Sequence, residues 1–326
     1  MLCLIRHLLG PMTTGHDILL FGATGSIGRA VLVALKSSGY RVTVVGRTEV
    51  DADEFVAADV TSFESLAAAV PERPFAAVIS CLASRTGSPA DAWAIDHAAH
   101  LNILELAKAR GIGQFNLLSA ICVQRPMLAF QEAKLAFEAE LKGSGLTYSI
   151  VRPTAYFKSL SGQLDRLRAG KPFLVFGDGE LTACKPISDR DLAEYMVRCL
   201  TDAGLQNRVL PIGGPGPALT PLEQGHLLAD ALGREIKVKR VPVGIMTAII
   251  GVLSAVGVVS RRARDKAEFA RIGRYYATES MLVFDKAAGR YDADATPETG
   301  TDTLAKFYQD LVAGRVTVDR GDHAVF

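Results

Sequence analysis

The 326-residue chain has almost no excess of charge: 36 Lys+Arg stand against 35 Asp+Glu, for a net charge of +1. A nucleic-acid partner needs a basic surplus to neutralise phosphates, so no nucleic acid is expected. Cysteine is sparse and unpaired in sequence. Cys3, Cys81, Cys122, Cys184 and Cys199 form no C-x-x-C motif, which excludes a zinc ribbon, a ferredoxin-type cluster and a disulfide framework. A reducing compartment fits. The G-x-x-x-x-G-K-[ST] phosphate loop is also missing, and with it the kinase and ATPase classes. His97 and His100 lie one helical turn apart with no third ligand in register, and the carboxylate run Asp51-Ala-Asp53-Glu54 reads as a solvated loop near the second strand, so no metal is expected.

Long apolar runs are missing with one exception. No charged residue occurs from Val241 to Ser260, and Arg261, Arg262 and Arg264 follow. Pro242, Gly244, Gly251 and Gly257 dilute this run, so a membrane span is not expected. A core helix is the plainest expectation; a helix that walls an apolar pocket or skims a membrane surface is the more informative one. The first fifteen residues lack a long apolar segment ending in a cleavage site and lack an Arg/Ser-rich transit composition. They are read as a flexible extension, residues 1–15.

What is present is a folded-protein composition, 49% hydrophobic and 22% charged. Asp17–Phe21 is a short apolar run of strand length, followed at once by Gly22-Ala-Thr24-Gly25-Ser26-Ile27-Gly28 and a helical pattern ending near Gly39. Further apolar runs at Arg41–Val45, Ala76–Ser80 and Gln114–Ser119 alternate with helical stretches at 62–70 and 92–110. Alternating strands and helices imply a parallel sheet, and continuous apolar runs imply strands buried on both faces. The expected fold is α/β: a Rossmann-type doubly wound parallel sheet over 16–155 and a smaller C-terminal substrate lobe over 156–326, with about 186–214 returning to the sheet.

Three glycines at a strand-to-helix turn point to a nucleotide. One permits the turn, one lets the backbone approach a pyrophosphate, and one allows the helix to pack on the strand. The turn Gly22, Thr24, Gly25, Ser26, Ile27 and Gly28 is therefore the expected phosphate site. Its G-x-x-G-x-x-G spacing resembles the extended and atypical short-chain dehydrogenase/reductase superfamily. After the second strand, Gly46-Arg47 offers a guanidinium for a 2′-phosphate where an NAD enzyme would place a carboxylate, so NADPH is the expected cofactor. The superfamily resemblance further implies adenine contacts from Asp59-Val60, and nicotinamide-ribose contacts from the Cys81-Leu82 loop, Ser119, Lys134 and the strand end at Pro153.

In that superfamily a Tyr four residues before a Lys donates the proton to a carbonyl oxygen. Here the pair is Phe130 and Lys134. Hydride addition to a C=C bond conjugated to a large π-system leaves charge delocalised over carbon, so an oxyanion-stabilising phenol is dispensable. An alkene substrate is favoured. A cofactor-sensing, NmrA-like regulator without catalysis and a reductase of another conjugated alkene are the readings that stand beside it.

Several segments are more specific: Val151-Arg-Pro-Thr-Ala-Tyr156-Phe-Lys158-Ser-Leu-Ser-Gly-Gln163, Phe176-Gly-Asp-Gly179, Cys184-Lys185-Pro-Ile-Ser188, Gly213-Gly-Pro215 and Ile272-Gly-Arg274-Tyr-Tyr276. Together, over about 15–326, they resemble the NADPH-dependent divinyl chlorophyllide a 8-vinyl-reductases. The resemblance implies reduction of the 8-vinyl group of 3,8-divinyl chlorophyllide a, or of divinyl protochlorophyllide a, to ethyl in (bacterio)chlorophyll biosynthesis. It makes Lys134 and Tyr156 the expected catalytic residues, with Tyr156 the candidate proton donor. Phe130, Tyr156, Phe157, Lys158, Lys185 and Arg274 are the expected pigment contacts. A bacterial cytoplasmic location, peripheral to the photosynthetic membrane, completes the expectation.

Overall fold

The computed structural model describes residues 16–258 and 260–318. The 1–15 extension and Cys3 lie outside the described residues. The strands are β1 (Asp17–Phe21), β2 (Arg41–Gly46), β3 (Glu54–Ala57), β4 (Ala77–Ser80), β5 (Gln114–Leu118), β6 (Thr147–Pro153), β7 (Phe173–Phe176), β8 (Arg208–Ile212), β9 (Val238–Val241), β10 (Val283–Asp285) and β11 (Arg290–Asp292). Helices are α1 (Ser26–Ser37), α2 (Phe63–Ala69), α3 (Pro89–Ala92), α4 (His100–Ala109), α5 (Ala129–Gly143), α6 (Phe157–Leu160), α7 (Leu164–Arg168), α8 (Asp189–Arg198), α9 (Pro221–Ala231), α10 (Val243–Gly257), α11 (Arg261–Thr278) and α12 (Leu304–Val312). A π-helical segment, Trp93–Ala99, joins α3 to α4.

Seven strands form one sheet in the order β3-β2-β1-β4-β5-β6-β8, and every pairing in it is parallel. Successive side chains of a strand point to opposite faces, so a run that is apolar throughout feeds two cores. In β1, Ile18 and Leu20 pack with Val31 and Leu35 of α1 and Leu192 and Met196 of α8. Leu19 and Phe21 pack on the other face with Leu66, Ile103, Leu106, Phe115 and Phe137. Each such side chain, fully buried, contributes about 1.5–3 kcal/mol. The chain order reverses between β1 and β4, which leaves a crevice beyond their carboxyl ends, where ligands of open α/β sheets bind.

A third cluster builds the smaller lobe from Phe157, Leu164, Phe173, Leu228, Tyr308 and Leu311. The parallel pair β7-β9 and the hairpin β10-β11 belong to the region after β6. A fourth cluster, including Phe130, Cys122, Ala133, Ile272 and Tyr275, ties α11 to α5.

Two local expectations change. Asp51-Ala-Asp53-Glu54 reads as a solvated loop, yet Glu54 opens β3 and its carboxylate takes Arg73 and the Thr43 hydroxyl, while Asp53 accepts from the Val42 amide at 2.9 Å. The apolar run after Val241 is not a core helix. Within α10 only Ile250 and Gly257 are buried, and Ile245, Ile249, Val252 and Val256 are 49%, 48%, 66% and 49% exposed. Among the described residues no helix is long and apolar enough to cross a membrane.

Candidate functional site at the carboxyl edge of the sheet

The glycine turn has the geometry its spacing demands. Gly22 has φ +81°, and a Cβ there would stand 2.6 Å from the Cys81 carbonyl carbon. A Cβ on Gly28 would lie 2.1 Å from the Gly22 oxygen, whereas Gly25 has only that oxygen nearby, at 3.6 Å. Gly22 and Gly28 thus let β1, β4 and α1 close together, and Gly25 leaves its face open to a ligand. Gly25 caps α1 without a side-chain hydrogen bond, so the first-turn amides and the positive end of the helix remain for an anion. Thr24 is exposed and Ile27 buried in the first cluster. The Ser26 hydroxyl favours the ionised form of the Asp189 carboxylate, whose pKa burial nevertheless raises.

Arg47 is exposed just past β2. Hydrogen bonds from the Thr61 amide and hydroxyl hold the Asp59 carboxyl below its usual range, with a smaller pull from Arg47. Val60 packs against the second core, and its carbonyl accepts from Asn102. After β4, Leu82 donates its amide to Ser80 Oγ, and burial pushes the Cys81 thiol up to about 12.

Lys134 sits on the buried face of α5 with its Nζ 2.9 Å from Asp96 Oδ1. Asp96 belongs to the π-helical segment, and its Oδ1 also accepts from the Ser84 amide at 3.2 Å. Four residues on, His100 is buried between Ser80 Oγ and the Ile95 carbonyl, each 2.9 Å from a ring nitrogen. Burial first, then Lys134, lowers its pKa to about 4. This histidine is a packed, neutral one, and no metal-binding cluster of His, Cys, Asp or Glu occurs among the described residues.

One turn beyond Lys134, the fully buried Glu138 accepts from Ser119 Oγ at 2.6 Å and from Arg152 through both Nε and a terminal nitrogen. Ser119 is therefore tied to a buried ion pair at the ends of β5 and β6. Pro153, paired with Ile212, closes β6 beside it.

Tyr156 follows that strand end and bridges to Ile187. Burial raises its phenol well above the usual range, with Asp189, Cys81 and Cys122 adding to the effect. Tyr276 approaches from α11: its hydroxyl lies 3.8 Å from Cys122 Sγ, and Tyr275 donates to the Cys122 carbonyl at 2.8 Å. Phe130 lies in the same cluster as these tyrosines and Cys122.

The remaining expected contacts separate. Lys158 is half-buried, near enough to Asp189 to favour its ionised form. Phe157 turns into the lobe core, its ring centroid 5.3 Å from that of Phe307. Lys185 is buried, pairs with Glu298 and reaches the Thr296 carbonyl at 3.4 Å. Arg274 is exposed on α11. Asp96, Glu138 and Asp189 were not singled out by sequence, whereas Tyr276 belongs to a segment that was. The i, i+4 step from Lys134 to Glu138 was a usable signal; Asp96 and Asp189 are joined to the site only through the fold.

A family model described as NAD(P)H-binding matches residues 22–203, which span the glycine turn, Lys134 and Tyr156. The divinyl chlorophyllide a 8-vinyl-reductase of Oryza sativa subsp. indica, a chloroplastic protein, is 46% identical over 98% of this chain and 84% of its own length. The chain belongs to the divinyl chlorophyllide a 8-vinyl-reductase family. The Zea mays member is likewise 46% identical, over 95% of this chain and 82% of its own. Among solved structures, the NADPH-dependent quinone oxidoreductase QOR2 of Escherichia coli, 19% identical, superposes with a TM-score of 0.65 over 90% of this chain and 99% of its own. That likeness speaks to fold alone, a parallel sheet with helices on both faces.

Proposed function

We propose that the chain reduces the 8-vinyl group of 3,8-divinyl chlorophyllide a, or of divinyl protochlorophyllide a, to ethyl, with NADPH as donor. Membership of the family carries this reading, and the Phe130/Lys134 pair agrees with it chemically. NADPH, when bound, supplies the hydride. The vinyl group gains that hydride and one proton, and the macrocycle delocalises the charge between the two events, so no phenol is needed at position 130 for an oxyanion.

The chain's residues supply position and proton. Gly22, Gly25 and Gly28 with the α1 amides fit a pyrophosphate. Exposed Arg47 fits a 2′-phosphate, the feature that favours NADPH over NADH. Lys134 orients the nicotinamide ribose, and Phe130 presents an apolar face beside it. Tyr156 keeps its proton at neutral pH and yields it as carbanion character develops. Lys158, half-buried near Tyr156, is the best placed cation for the pigment's carboxylate; Lys185 would first have to leave Glu298, and Arg274 would have to reach in from the surface.

We also propose that α10 rests on a lipid surface. Its exposed apolar side chains are bracketed by Lys237, Lys239 and Arg240 before it and Arg262, Arg264 and Lys266 after it, all exposed. An apolar face between cationic ends suits an anionic membrane surface and a lipophilic substrate. Cys81, Cys122, Cys184 and Cys199 are free thiols, in keeping with a reducing compartment such as a bacterial cytoplasm.

Anaerobic incubation of the purified protein with NADPH and 3,8-divinyl chlorophyllide a tests the reading. Conversion to the 8-ethyl pigment without added flavin or ferredoxin supports it. Cofactor binding with no conversion of either divinyl pigment rejects it.

A further inference from the structure

We propose that Asp96 is a second clamp on the nicotinamide half of the cofactor, fixing Lys134 with one carboxylate oxygen and accepting from a ribose hydroxyl with the other. The inference rests on the cofactor part of the reading above and is independent of the pigment.

Asp96 is 1% exposed. Its Oδ1 takes both available local donors, Lys134 Nζ at 2.9 Å and the Ser84 amide at 3.2 Å. Its Oδ2 is buried with no hydrogen-bond partner among the described residues. His100, one turn away, cannot serve it, because Ser80 Oγ and the Ile95 carbonyl take both ring nitrogens. A buried carboxylate oxygen without a donor is costly, and folds retain such atoms where a ligand completes them.

The location fits a ligand hydroxyl. Asp96 lies on a π-helical segment, an irregularity that recurs at functional sites because it re-aims side chains. It faces Lys134 and the loop after β4, beside the crevice where the sheet order reverses. A sugar hydroxyl there donates to Oδ2 and accepts from Lys134, the reciprocal pairing that a carboxylate and an ammonium offer together. Asp96 also counters the Lys134 charge next to Phe130, where no phenol needs that cation. Asp96 is thus a positioning residue for Lys134 and a direct contact of the cofactor.

The test compares two ligands by fluorescence or calorimetric titration: NADPH, and 2′,5′-ADP, which lacks the nicotinamide ribose. Asp96→Asn should weaken NADPH about tenfold while leaving 2′,5′-ADP within about twofold. Asp96→Asn and Lys134→Met should combine less than additively. Equal loss for both ligands, which a purely structural role would give, or unchanged NADPH affinity overturns the proposal. Should Asp96→Asn fail to fold, hydrogen exchange on the unaltered protein decides. NADPH should slow exchange at the Ser84 amide and across Trp93–Ala99 where 2′,5′-ADP does not, and equal protection overturns the proposal. Both tests score binding, so an absence of vinyl reduction leaves them intact.

Discussion

Gly28 sits so close to Gly22 that a Cβ on the first would stand 2.1 Å from the carbonyl oxygen of the second. The helix α1 and the strand that precedes it are in contact only because that Cβ is missing. Gly28→Ala is expected to destabilise the protein by about 1–3 kcal/mol, the usual range for overpacking, and to abolish NADPH binding. Gly25→Ala, whose nearest neighbour would be at 3.6 Å, should keep the stability and lose only affinity. Chemical denaturation and NADPH titration of the two variants check this, and equal stability losses would contradict it.

Arg47→Ala should raise the KM for NADPH at least tenfold and leave that for NADH nearly unchanged, since in the proposed reading the guanidinium meets only the 2′-phosphate. Steady-state kinetics with both donors measure it. Equal effects on the two would remove Arg47 from cofactor selection.

Breaking the Ser119–Glu138–Arg152 unit should be severe. Glu138→Ala leaves the mostly buried Arg152 without its partner, and removal of one member of such a pair costs about 3–5 kcal/mol. Urea unfolding should show a loss of that size, and a loss below 1 kcal/mol would mean that water replaces the carboxylate.

His100 predicts a pH dependence. Its folded pKa of about 4 lies below the ordinary 6.5, so the unfolded chain binds a proton first as pH falls. Stability from this group is complete above about 6.5 and is lost as pH drops towards 4, by at most about 3 kcal/mol. Urea midpoints across that window should slope less in His100→Asn than in the parent. Parallel slopes would refute the assignment.

Tyr156→Phe should lower turnover by roughly 10²-fold or more with unchanged NADPH affinity, as loss of a general acid does. Unchanged turnover removes Tyr156 from the chemistry, with solvent or Tyr276 delivering the proton.

Strands β1, β2, β4 and β5 and the glycine turn were legible because both are local: an apolar run, then glycines at fixed spacing, dictate strand, turn and helix without reference to the rest of the chain, whereas β3 was hidden behind its run of carboxylates. The Phe130/Lys134 pair was legible for the same reason, being one helical turn. Asp96 was not, since the Asp96–Lys134 pair joins residues from different helices. Glu54 looked like one of a run of solvated carboxylates because Arg73, its partner, arrives from beyond α2. The apolar run after Val241 misled in the opposite direction. Hydropathy says that α10 avoids water, but whether protein or another phase covers it is decided by tertiary placement, and there α11 covers only one side.

The central claim, direct hydride transfer from NADPH to the vinyl group, is tested most directly with NADPH deuterated at the transferable C4 position. Reduction of 3,8-divinyl chlorophyllide a by the purified protein should place a single deuterium in the new 8-ethyl group, with one NADPH oxidised per pigment reduced. An unlabelled ethyl group, or NADPH oxidation uncoupled from pigment reduction, would contradict it.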